Sequence, residues 1–199
     1  MAHTVELKEE VYQNIREMCL DYYRNGCRDI FRMQQEIMDL PEIPMHYPYH
    51  HYIVPAVLLT AAAVCSDKTE EELEEELRTA EERAKNILGG FCGFYGTCGA
   101  AVGVGIFHSI YTKSTPVSRE TWALCNRTTA DALYAISEVE GPRCCKRVSF
   151  QALYQAAESM KNNLGLDVIV EENVKCHYSH RNIDCKGQLC PYFPGEDAV

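Results

Sequence analysis

"TEEELEEELRTAEERAKNILGGFCGFYGTCGAAVGVGIF", residues 69 to 107, carries both the clearest helix signal in the chain and its densest mixture of glycine and cysteine. Thr69 followed three residues later by Glu72 has the form of a capping box, and acids fill the first turn, where the helix dipole favours them. Leu73, Leu77, Ala80, Ala84 and Ile87 make one apolar face, and Gly89-Gly90 ends the element. The charges between them form a solvated face. A second helix is expected from about 98 to 111, in which Gly99 and Gly103 lie one turn apart and let another backbone approach closely.

The same pattern extends in both directions. Apolar positions at Val5, Ile15, Met18, Tyr22, Ile30, Met33 and Ile37, broken near Asn25-Gly26, predict two amphipathic helices. "DLPEIPMHYPYHH" (39–51), with prolines at 41, 44 and 48, must be extended. "YIVPAVLLTAAAV" (52–64) is too short to span a bilayer and reads as a buried core helix from about 51 to 65, with Pro55 near its first turn. Further helices are expected over about 118–138 and from Ser149, as N-cap, to Gly165. "LDVIVEE" (166–172) is the strand candidate. The expected fold is mainly α: a single helical domain with a short strand and a cysteine-rich, irregular, metal-binding-like C-terminal tail. Residues 1–44 are read as an N-terminal helical extension and 45–199 as the cysteine-rich helical domain.

Composition narrows the function. At 199 residues and 46% hydrophobic the chain can bury one core. Its 29 acidic against 19 basic residues, a net charge of −10, remove the electrostatic drive for nucleic-acid binding. The first ten residues are charged and no apolar signal core follows, so a cytoplasmic location with no membrane association is expected. Eleven cysteines, an odd number, in a reducing compartment point to metal binding or redox chemistry rather than to a disulfide scaffold. Cys19, Cys27, Cys65 and Cys125 lie in apolar or helical context and read as small buried hydrophobes.

Four groups of residues carry candidate chemistry. Cys92 and Cys98 are interleaved with Gly93, Gly96 and Gly99, which let the backbone wrap closely round whatever the thiols hold, and Cys98 falls at a helix N-terminus that favours thiolate. The competing reading is a glycine turn with two packed thiols. A phosphate loop is excluded, because no Lys-Ser or Lys-Thr pair follows and a helix rather than a strand precedes. In "GPRCCKRVS" (141–149), Cys144 and Cys145 stand among Arg143, Lys146 and Arg147 ahead of a helix, which again favours thiolate; the alternative is a surface turn whose cations pair with carboxylates. Cys176, Cys185 and Cys190 in the tail, with His177 and His180 between them, could complete a Cys3His zinc site or belong to an iron–sulfur loop, or stay unligated. "MHYPYHH" (45–51) supplies His46, His50 and His51, the last two at a helix entrance where the rings stay neutral, as a metal ligand or general base requires.

"MHYPYHHYIVPAVLLTAA", "GGFCGFYGTCGAAVGVGIF", "GPRCCKRVSF" and "CHYSHRNIDCKGQLCPYF", in that order over about 45–194, resemble an uncharacterised cysteine-rich domain family of mainly anaerobic prokaryotes. A weaker similarity runs to redox-associated proteins named for a C-GCAxxG-C-C pattern: "TCGAAVG" (97–103) fits its core, while His50 or His51 stands where its first cysteine would be. That departure from the pattern implies mixed His/Cys ligation in place of thiols alone.

The sequence therefore leads to a protein that binds an iron–sulfur cluster or zinc and acts in thiol-based redox or sulfur handling, with a redox or sulfur-carrying protein as partner. The histidines, the Cys92/Cys98 loop and the Cys144-Cys145 pair are expected to converge on one site, which the tail joins or stands apart from. Two alternatives stay open. One is a metal-free enzyme with Cys98 or Cys145 as nucleophile, a histidine as base and the vicinal pair resolving; the other is a non-catalytic, zinc-stapled interaction module.

Overall fold

The computed structural model describes residues 6–195, so Val5 lies outside it. Eight α-helices follow one another: α1 (Glu9–Arg24), α2 (Ile30–Met38), α3 (Tyr49–Cys65), α4 (Glu70–Lys85), α5 (Phe91–Phe94), α6 (Gly99–Tyr111), α7 (Glu120–Ser137) and α8 (Cys145–Leu164). Among the described residues the tail adds two single 3-10 turns, Ser179–Arg181 and Gly187–Leu189. No described helix is long and apolar enough to cross a membrane.

α3 is the hub because its sequence leaves it no polar face. Fourteen of its residues are buried, from Tyr49 to Ala63, and α1, α2, α4, α6 and α8 all pack against it. α7 closes the other side of α6 and α8. The first two helices share this core through Ile15, Cys19, Phe31 and Met33, all fully buried.

Local signals set most of the helix ends. Thr69 Oγ1 accepts from the Glu72 N–H and the Glu72 carboxylate accepts from the Thr69 N–H, completing the capping box of α4. Asp29 caps α2 by accepting from the N–H groups of Phe31 and Arg32. Gly165, at φ +67°, ends α8 as the left-handed C-cap that glycine favours.

Two expectations need correction. "LDVIVEE" forms no sheet among the described residues: Ile169 makes one parallel bridge with Asp29, and no second strand lies beside it to extend the ladder. α8 begins four residues before Ser149, at Cys145. Ser149 instead donates to the Cys145 carbonyl from within the helix, and Cys144 occupies the N-cap position with extended backbone and no side-chain cap. Burial of Val148 and Phe150 extends the helix toward its N-terminus where no polar cap marks the start.

Glycines of α6 fit it between two helices. A β-carbon on Gly103 would stand 2.9 Å from Pro55 Cδ and 3.2 Å from the His51 carbonyl oxygen of α3, and one on Gly105 would stand 2.2 Å from Thr129 Oγ1 of α7. Pro55 has no N–H for the His51 carbonyl, and that is the carbonyl that faces Gly103. Gly103→Val is expected to lower stability by about 1–3 kcal/mol, the usual range for overpacking a closed contact. Urea unfolding followed by circular dichroism checks this.

Candidate thiol and histidine site

Two cavities meet at the start of α8. The larger is a cleft of about 770 Å³ between the 90–99 loop, the entrance to α3, the start of α8 and the end of α7. His50, His51, Cys92, Cys98, Cys145 and Arg143 all line it. Leu133, Tyr134, Ile136 and Val139 of α7 and the turn after it supply an apolar wall, with Phe94 and Tyr134 more than half exposed at its edge.

The histidines are held in one tautomer. His50 Nδ1–H donates to the Tyr47 carbonyl at 2.9 Å and His51 Nδ1–H donates to the Ile87 carbonyl at 3.1 Å, so each ring carries its lone pair on Nε2. His50 Nε2 is buried with no hydrogen-bond partner. Burial lowers the affinity of both rings for a proton, bringing His51 to about 4 and His50 well below its ordinary value, where nearby Lys146 adds to the effect. Both are neutral at physiological pH. His108 makes the contrast: it is buried too, but its Nδ1–H bonds the Val104 carbonyl and its Nε2 accepts from Ser159, so nothing is left for a ligand.

Cys98 is the N-cap of α6 without a side-chain cap hydrogen bond, and the nearby backbone N–H groups of Ala100 and Ala101 favour its thiolate. Burial outweighs their effect and raises its pKa. The same holds at α8: burial raises Cys144, and raises Cys145 to about 12, with smaller contributions from neighbouring Cys98, Cys144 and Cys92. The thiolate expected from helix N-termini and local cations is therefore overturned. In the ligand-free chain these groups are protonated.

The smaller cavity, of about 20 Å³, lies on the opposite side of Cys144 and is lined by Cys144, Cys176, Cys185 and Cys190. Arg147 borders both cavities. The vicinal cysteines thus part company, Cys145 facing the cleft and Cys144 the tail. His180 is exposed and lines neither cavity, and His177 pairs with Asp39 at 2.8 Å. His46 has both ring nitrogens engaged, Nδ1 accepting from the Cys145 N–H at 3.5 Å and Nε2–H donating to Asn182 Oδ1 at 3.2 Å, so it acts as a strut between α8 and the tail.

Sequence reading missed Asn182 and the burial of the cations. Asn182, 8% exposed, links His46 to Cys144 by donating to its sulfur at 3.6 Å. Lys146, 1% exposed, donates to the Met38 carbonyl and lies over the Tyr178 ring, and burial lowers its pKa to about 8. Arg147, 4% exposed, donates to the Glu140 and Pro142 carbonyls and leaves Nε unsatisfied. Among the described residues no carboxylate pairs with either cation. The face of Leu153 and Ala156 continues back at helical spacing to Ser149 and Lys146, whereas no such spacing marks Arg147.

With this geometry in view, residues 15–193 match the model of a family described as a family of unknown function, DUF5714. The chain belongs to DUF5714. The match takes in all four cysteine and histidine groups, and it begins within α1. No curated protein and no solved structure matches the chain. For this DUF5714 member the site must be argued from its own residues, and among those described no group of three or more His, Cys, Asp or Glu side chains is arranged to hold a metal ion as the chain stands.

Gly99 tests the local architecture. A β-carbon there would fall 2.1 Å from His51 Cδ2 and 2.5 Å from Nε2, whereas one on Gly93 meets open space. Gly99→Ala should cost about 1–3 kcal/mol and Gly93→Ala little or nothing. Histidine nitrogen NMR should show His51 of Gly99→Ala titrating well above the value of about 4 that burial imposes in the native chain.

Proposed function

We propose that the chain binds a soft-metal centre in the cleft, an iron–sulfur cluster in preference to a single zinc, and serves in thiol-based redox or sulfur handling. The observation that carries this reading is the set of donors around the 770 Å³ cleft: Cys92, Cys98 and Cys145 from three separate segments, together with the His50 Nε2 lone pair, buried and unpartnered. An unsatisfied buried acceptor costs about 1–3 kcal/mol unless something fills its place. Thiolate and imidazole together select soft or borderline metals over magnesium or calcium.

The arrangement favours a cluster because of its spread. A single zinc draws every sulfur to about 2.3 Å from one point, whereas Cys92, Cys98 and Cys145 stand on three separate segments around a cleft of about 770 Å³. A cluster lets each thiolate bind a different iron, so its ligands stand further apart. Such a group would supply one-electron chemistry. The chain's own residues would hold it, exclude water along the Leu133, Ile136 and Val139 wall, and place Arg143 beside the resulting negative charge. The Nδ1 hydrogen bonds of His50 and His51 to backbone carbonyls are the orienting partners that a ligating imidazole ordinarily keeps.

Protein purified without oxygen, or reconstituted with iron and sulfide, should be brown, with iron and acid-labile sulfide in matching amounts, and should bleach on reduction. Cys98→Ser and Cys145→Ser should each lose iron and colour while keeping the helical circular dichroism of the native chain. Colourless, iron-free protein after reconstitution, with Cys98 or Cys145 alkylated rapidly in the native state, would replace this reading with a thiol nucleophile and a histidine base.

A further inference from the structure

The tail cysteines line one small cavity together with a residue far from them in sequence. Cys144, Cys176, Cys185 and Cys190 line a cavity of about 20 Å³, which is room for one water-sized or ion-sized guest. N–H groups are aimed at two of the four sulfurs. Gly187 N–H lies 3.4 Å from Cys185 Sγ and Asn182 Nδ2 lies 3.6 Å from Cys144 Sγ. In Cys185-Lys-Gly187 the donor is the amide two residues on, and Gly187 makes this turn at φ +57°.

Charge supplies an independent observation. Arg147 is buried at this cavity with no carboxylate partner and with its Nε unsatisfied, and Lys146, the residue before it, is buried too. A buried cation without a counter-charge is costly. Four neutral thiols do nothing to relieve it. Four thiolates on a divalent ion carry a net charge of −2, which sets negative charge beside Arg147.

We propose that Cys144, Cys176, Cys185 and Cys190 form a tetrathiolate site for one zinc ion, separate from the cleft and structural in role. On binding, the four thiols turn inward and release four protons to solvent, and four Zn–S bonds form with no change of oxidation state. Asn182 and the Gly187 amide stabilise the sulfurs from behind. The His180 imidazole takes no part, since it is exposed and off the cavity. Because Cys145 follows Cys144 directly, zinc also fixes the start of α8, from which Cys145 enters the cleft.

Metal analysis of the full chain purified in zinc-supplemented medium should give about one zinc per chain. Cys144→Ser and Cys190→Ser should lose it, His180→Ala and Cys98→Ser should keep it, and Asn182→Ala should weaken zinc binding about 10- to 100-fold. Retention in Cys98→Ser holds whether or not the cleft carries a cluster, so the two proposals fail separately. Should the serine variants not fold, the native chain decides: cobalt substitution should give the thiolate charge-transfer absorption of a tetrahedral all-sulfur site, and chelation should expose four thiols per zinc released. Zinc kept in Cys144→Ser but lost in His180→Ala, or native chain holding no zinc, would overturn the assignment.

Discussion

The start of α8 is the constraint on which both cavities depend. Cys144 is the N-cap, with extended backbone at φ −139° and ψ 108°, and Cys145 is the first helical residue. Neighbouring side chains at such a junction cannot share a direction, since successive residues of a helix are turned about 100° apart. One thiol therefore faces the tail and the other the cleft. Lys146 and Arg147 follow the same rotation into the protein, where Lys146 finds the Met38 carbonyl and the Tyr178 ring, and Arg147 finds the turn at 140–142. One helical turn thus brings two thiols and two cations to the seam between core and tail.

That seam is held by polar bonds, whereas the cleft's other side is held by packing. α3 cannot rotate, because almost every residue of it is buried, and its first turn carries His50 and His51. α6 docks on it through Gly99 and Gly103, where no side chain fits, and the same contact sets Cys98 close to His51. The site's rigidity is inherited from the core: histidine orientation and the position of Cys98 follow from α3–α6 packing. Cys92 sits instead on the four-residue α5, entered through Gly90 at φ +83°, and has no buried neighbour in its own helix. It is the most freely placed of the cleft thiols.

Much of the fold was legible because its signals are local. A capping box, a charged first turn and a terminal glycine pair define α4 without reference to anything else, and an apolar run with no polar face can only be a central helix. Where the deciding partner is remote, the sequence misleads. The β-branched run at 166–172 found only Asp29 beside it, and Ser149 resembled an N-cap because the true start has no capping side chain. The same distinction holds for the site. Histidine and cysteine identities were readable; that His50, His51, Cys92, Cys98 and Cys145 line one cleft depends on the packing of segments far apart in sequence. The fourth lining thiol of the tail comes from Cys144 rather than from His180 nearby, and no spacing rule reports that.

The thiol environments also show why sequence rules for reactivity gave the wrong sign here. A helix N-terminus and an adjacent cation each favour thiolate; the first is present at Cys98 and both are present at Cys144-Cys145. Each effect falls short of the free energy of removing a charge from water, so burial governs and the thiols stay protonated. The balance changes once a second positive charge is supplied at the sulfur itself, because a metal ion replaces the proton rather than leaving a bare anion in a dry site. The helix amides, Asn182 and the buried cations then act with the charge instead of against the burial. Groups that are poor nucleophiles when free are, for the same reason, well placed to serve as ligands.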